Sequence, residues 1–182
     1  MTFDNQKWNS LTKELIFSKK PWFEVFQEKI RLPDGKVIPE YYEIEMPHYT
    51  AVFAVTVEQK IIILRCYRHA IGEVTLTMPG GMIEKGESPL AGIQREFLEE
   101  TGYKAKEWKS LGTFVGNSTR GCGTYHLFFA TEAYSVQEPN SGDLEELELL
   151  LWKQQEVEQA LDEGQAKSLG VASMLLLGLR CL

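Results

Sequence analysis

The chain carries only three cysteines, Cys66, Cys122 and Cys181, an odd number, widely spaced and without a CxxC pair. This excludes a disulfide-built scaffold and predicts reduced thiols in a cytoplasmic protein. Histidine is equally sparse at three, so no His–Cys cluster suits zinc. Positive charge is short: 19 Lys and Arg stand against 26 Asp and Glu, for a net charge of −7 and a pI near 5.1. Nucleic-acid binding by counterion release needs a basic face, so no nucleic-acid partner is expected. No apolar run reaches the ~18 residues that cross a bilayer, so no membrane partner is expected. The nearest approach, VASMLLLGL at 171–179, reads as the buried face of a final helix. The first ten residues, MTFDNQKWNS, lack the positive-then-apolar order of a signal peptide.

What is present is ordinary for a globular protein: 182 residues, 43% hydrophobic and 25% charged, enough for one folded unit with a sizeable core. Residues 22–31 and 37–45 read as strands joined by Leu32-Pro33-Asp34-Gly35, and 50–57 with 61–67 as a second hairpin. The run Ile61-Ile62-Ile63-Leu64 does not alternate and is expected to be buried on both faces. Further strands are expected at 73–78, 107–114, 125–132 and 147–152, and helices at 157–162 and 167–179. Strands lead, one helix interrupts them and more helix follows, which predicts an α+β fold with a mixed sheet.

The most informative stretch is GMIEKGESPLAGIQREFLEETGY, residues 81–103. Ser88 is placed to N-cap a helix with Pro89 at its first position, and Gly102 to end it in the left-handed conformation. At 100° per residue, Glu96 and Glu100 lie about 40° apart and Glu99 about 60° to their other side. Three carboxylates on one face repel one another unless a cation sits there. An acidic protein acting on anionic phosphates needs divalent cations for the same reason.

The spacing Gly81-x5-Glu87-x7-Arg95-Glu96-apolar-x-Glu99-Glu100-x-Gly102-apolar resembles the Nudix box, with every fixed position filled. Phe97 and Tyr103 take slots more often aliphatic. Upstream, YRHAIGEVTLTMPGG (67–81) is similar to the ADP-ribose pyrophosphatase branch of that family. The resemblance implies an α/β/α sandwich over 48–182. It also implies an N-terminal antiparallel β extension over 1–47 that belongs to the same unit, mediates a homodimer and helps form the neighbouring subunit's substrate pocket. It further implies hydrolysis of the pyrophosphate bond of a nucleoside diphosphate sugar, ADP-ribose first, with Mg²⁺ (or Mn²⁺) as cofactor.

Carried onto this chain, the resemblance makes Glu96 and Glu100 metal ligands and Glu99 a further ligand or the base that orients water. Gly80 is either a plain turn glycine or a ligand through its carbonyl. Arg95 pairs with Glu99 along the helix or with Glu87 in the loop, and the family favours the Glu87 brace, with Gly81, Glu87, Arg95 and Gly102 structural. A loop acid beyond the box is expected in SGDLEELELLLW; alignment points to Glu145, with Asp143 and Glu146 as competitors and a solvated loop as the plain alternative. Arg68 suits substrate phosphates or an ordinary ion pair. His69 reads as a packed histidine, and Trp22, Tyr41 and Tyr42 as core or interface aromatics as readily as adenine platforms. GTFVGNSTRGCGTYH (112–126) is expected to be a loop in which Arg120 contacts a phosphate or sugar. It lacks the proline usual in the branch, which weakens ADP-ribose specifically. The alternatives are hydrolysis of oxidised nucleoside triphosphates or dinucleotides and, more distantly, a non-catalytic nucleotide-sugar binding module.

Overall fold

The computed structural model describes residues 7–140, 142 and 146–182. Chain contacts divide into two compact units: the residues up to His48 together with Val115–Thr124, and Tyr49–Phe114 together with Tyr125–Leu182.

In the first unit, β1 (Asn9–Lys19), β2 (Phe23–Arg31) and β3 (Val37–Glu45) form an antiparallel meander. The β2–β3 turn forms where Pro33-Asp34-Gly35 predicts it: Gly35 N donates to Leu32 O at 3.0 Å and the Asp34 carboxylate accepts from Lys36 N at 2.9 Å. Lys13 of β1 reaches Glu43 and Glu45, each at 2.9 Å, and Glu28 at 3.5 Å, tying the three strands together on one face. Strand β1 was not expected from the sequence. All its residues are exposed, and bulges at Leu11 and Ile16 break the alternation that marks a strand.

The second unit is a sheet with helices on both faces. Strands β4 (His48–Thr56), β5 (Ile61–Arg68) and β6 (Glu73–Thr77) precede helix α1 (Pro89–Thr101); the short β7 (Tyr103–Lys104), β8 (Glu107–Asn117), β9 (Gly121–Ser135) and β10 (Glu148–Trp152) follow, then α2 (Gln154–Asp162) and α3 (Leu169–Leu179). Its strand order is β9-β4-β5-β10, with β6 on β5. Ile61 to Leu64 are each at most 1% exposed, because one side packs under α1 and the other under α2 and α3. Val52, Ala54, Ile62 and Phe128 meet Ile93 and Phe97 of α1. Phe53, Val55, Ile61, Ile63 and Phe129 meet Val157 and Ala160 of α2 and Met174 and Leu175 of α3. The expected α+β sandwich with a mixed sheet is therefore present; the parallel pair, Ile44 of β3 with Gly121 at the start of β9, lies within the first unit. Among the described residues no helix is long and apolar enough to cross a membrane.

Residues 112–126 depart from the expected loop. β8 runs to Asn117 and β9 starts at Gly121, leaving a tight hairpin. The Asn117 side-chain oxygen accepts from Thr119 N and Arg120 N, each at 2.9 Å, so one Asn closes a turn that the glycine count made look irregular.

Candidate active site

Helix α1 forms from local signals. The Ser88 hydroxyl accepts from Ala91 N, Pro89 opens the first turn, and Gly102 ends it at φ 73° with its N–H on Leu98 O. Gly102 has a second reason to be glycine, since a Cβ there would lie 2.0 Å from Gln137 O. Burial of Ile93 and Phe97 contributes roughly 2–3 kcal/mol each and fixes the rotation of the helix. That rotation puts Glu96 and Glu100 on one flank of the apolar stripe and turns Glu99 outward. The Glu96 side chain is 15% exposed against 41% for Glu99, and Glu100 is 8% exposed.

Arg95 is the hub of the cluster. Nε and Nη2 hold the Glu87 carboxylate at 3.1 and 3.0 Å, Nη2 also donates to Met82 O at 3.1 Å, and Nη1 donates to Glu96 at 2.9 Å and Glu99 at 3.1 Å. All five guanidinium N–H groups are thus matched. The two pairings left open by the sequence, with Glu87 or with Glu99, are made together. Donation to the carboxylates of Glu87, then Glu96, holds the guanidinium well above its ordinary range, and the bond from Arg95 holds Glu87 below its ordinary carboxyl value. A depressed carboxyl stabilises the fold above its unfolded pKa, and that contribution is lost as pH falls through the folded value. Wild-type melting temperature is therefore expected to drop more steeply than that of Glu87→Gln as pH falls below about 4.5. Parallel curves in a thermal-melt series from neutral pH into acid would remove the brace from the account.

The turn before the box meets this helix. Gly80 N donates to Glu100 at 2.7 Å, and Thr50 N of β4 donates to Gly81 O at 2.9 Å. Thr50 was not singled out by sequence, where it reads only as a β-branched residue in a strand. It is 2% exposed, and its hydroxyl lies 3.2 Å from His126 O of β9 and 3.4 Å from Pro89 O, so with its N–H on Gly81 O it touches both ends of the box loop.

Among the described residues, no three Asp, Glu, His or Cys side chains are grouped to hold a metal ion as they stand. The donor chemistry nonetheless fits one. Glu96 and Glu99 converge on a single cationic nitrogen, Nη1 of Arg95, and the acids gathered on Arg95 (Glu87, Glu96 and Glu99) offer hard carboxylate oxygens.

The remaining expected residues make the following contacts. Arg68, at the end of β5, donates to the Thr77 hydroxyl at 3.4 Å. Arg120 belongs to the first unit, donating to Tyr42 O at 3.2 Å with its guanidinium 5.3 Å from the Tyr41 ring centre. His69 packs against Tyr67, and Trp22 is 65% exposed. Glu145 and Asp143 lie outside the described residues; Glu146 is exposed.

A family model of the NUDIX domain matches residues 46–169. The ADP-ribose pyrophosphatase of Bacillus subtilis (strain 168) is 34% identical over 137 residues, 75% of this chain and 73% of that protein. The methanol dehydrogenase activator of Bacillus methanolicus is 31% identical over 121 residues, 66% of this chain and 64% of its own length. The crystal structure of an ADP compounds hydrolase superposes with a TM-score of 0.80, covering 94% of this chain and 92% of that one at 21% identity, a likeness of fold. With the box filled, its helix capped as the motif requires and the domain model matching most of the chain, the protein belongs to the Nudix family.

Proposed function

We propose that the chain hydrolyses the pyrophosphate bond of nucleoside diphosphate sugars, ADP-ribose first, giving a nucleoside monophosphate and a sugar phosphate. The observation that carries this is the carboxylate cluster of the box helix, gathered on Arg95 beside the Gly80–Gly81 turn. The resemblance of the upstream segment and the Bacillus subtilis relative support the substrate class.

Nudix hydrolases use divalent metals. Here Glu96, Glu99, Glu100 and the Gly80 carbonyl are the groups we assign to hold the ion, with Mg²⁺ or Mn²⁺ suited to their hard oxygens. Bound there, the cation neutralises charge on the pyrophosphate and lowers the pKa of the attacking water. The protein's own part is orientation. Arg95 fixes Glu96 and Glu99, and the Gly80 N–H fixes the Glu100 carboxyl group. Glu99 or Glu145 takes the proton from water, and Arg68 and Arg120 are assigned to substrate phosphate or sugar.

A homodimer through the N-terminal 1–47 is part of the proposal. Trp8, Leu15, Ile16, Phe17 and Trp22, 45 to 65% exposed in the single chain, form the kind of apolar surface that a second copy covers. No nucleic-acid partner is proposed, and cysteine usage supports a cytoplasmic setting.

The test is a turnover screen with Mg²⁺ against ADP-ribose, other nucleoside diphosphate sugars, dinucleotides and nucleoside triphosphates, with chromatographic product identification. AMP and ribose 5-phosphate from ADP-ribose are expected. Pyrophosphate released from a triphosphate, with sugars untouched, overturns the substrate class, and binding without turnover overturns the hydrolase. Glu145→Gln in the same screen decides the loop acid, light scattering at micromolar concentration the dimer, and cell fractionation the compartment.

A further inference from the structure

Gly81 and Glu96 are complementary in an unusual way: one residue's missing side chain is the other's seat. A Cβ on Gly81 would lie 2.5 Å from Glu96 Cδ, 2.5 Å from Oε1 and 2.6 Å from Oε2, so the whole carboxylate occupies the space an alanine methyl would fill. Conformation is not the reason for glycine here. Gly81 is not among the residues of positive φ, so its backbone is open to any L residue.

Neither backbone can retreat. Gly81 O is held by Thr50 N at 2.9 Å, and Thr50 lies in β4 between the two cores. On the other side, Glu96 is carried by a helix locked through Ile93 and Phe97, both 0% exposed. The element free to yield is the flexible end of Glu96 itself, whose Oε1 is aimed by Arg95 Nη1 at 2.9 Å.

We infer that Gly81 is a positioning residue acting through Glu96: its bare backbone sets where that carboxylate stands, and so sets the affinity of the site for a divalent cation. The inference rests on the reading of Glu96 as a cation ligand. It differs from a turn role for Gly81, which would act on folding rather than on the ion.

The test is Mn²⁺ binding to the full chain without substrate, followed by electron paramagnetic resonance of the free ion. Thermal melting and steady-state turnover of ADP-ribose are run alongside. Gly81→Ala is expected to fold, to melt within a few degrees of wild type, and to bind Mn²⁺ about tenfold more weakly. Its kcat at fixed low metal falls and recovers as Mn²⁺ is raised. The decisive comparison is a cycle with Glu96→Asp, one methylene shorter. In that background Gly81→Ala is expected to cost less than about twofold, because the shorter acid no longer fills the space. An equal penalty in both backgrounds overturns the inference, as does wild-type Mn²⁺ affinity in Gly81→Ala or failure of that variant to fold. Wild-type affinity in Glu96→Gln instead overturns the ligand reading, and the inference with it.

Discussion

Glu100→Gln is expected to lower kcat by on the order of 10²–10³ while leaving the fold intact, a loss of several kcal/mol of transition-state stabilisation. The two effects separate because the proposed ligand role of the Glu100 carboxylate is distinct from the hydrogen bond it makes. One oxygen accepts from Gly80 N at 2.7 Å, which helps hold the turn before the box. A glutamine oxygen can accept the same bond, so the stability change is expected to stay within about 1 kcal/mol. The negative charge has no such substitute: an amide offers a divalent cation a weaker ligand and does not balance its charge. Steady-state kinetics across a Mg²⁺ titration, paired with thermal melting, reads both. Wild-type kcat at saturating metal would remove Glu100 from the ligand set. A collapse of melting temperature that matches the loss of rate would make its role structural.

Gly80→Ala is expected to destabilise the protein by about 3 kcal/mol or more and to lower the melting temperature by roughly 10 °C. At φ 150° the residue sits where L side chains are strained, and a Cβ would fall 2.1 Å from Thr50 O and 2.7 Å from the Ala51 Cα. These are backbone atoms of β4, the strand whose Val52 and Phe53 are fully buried in the two cores, so the strand cannot move aside cheaply. The neighbouring glycine makes the comparison sharp. At Gly81 the obstruction is only the end of a flexible glutamate, so Gly81→Ala is expected to fold and lose metal affinity, whereas Gly80→Ala loses stability first. Chemical denaturation of both variants side by side checks this. Equal stability of the two would show that the steric account of the turn is wrong.

Much of the site was legible because its signals are short in range. The cap at Ser88, the proline at 89, the left-handed stop at Gly102 and the shared face of Glu96 and Glu100 depend on residues within a turn or two of one another. Strand positions 50–57 and 61–67 were readable for the same reason, through dense apolar runs. Illegible features depend on partners far along the chain. Strand β1 is held by pairing with β2 although every one of its residues is exposed, so hydrophobic pattern carries no trace of it. The 112–126 hairpin is closed by the Asn117 side chain and by β3 alongside, where composition suggested only a loop.

Sequence alone determined that this is a Nudix-type chain with a capped acidic helix, because spacing along a helix is geometry that any segment carries with it. Only the tertiary structure decided how those acids are held. It showed that Arg95 serves Glu87, Glu96 and Glu99 at once, that Glu100 is buried against Gly80, and that Thr50 of β4 holds the Gly81 carbonyl. Those contacts join the helix to Glu87, Gly80 and, through the turn, to β4, and they exist only once the core has fixed the helix's rotation and depth against the sheet.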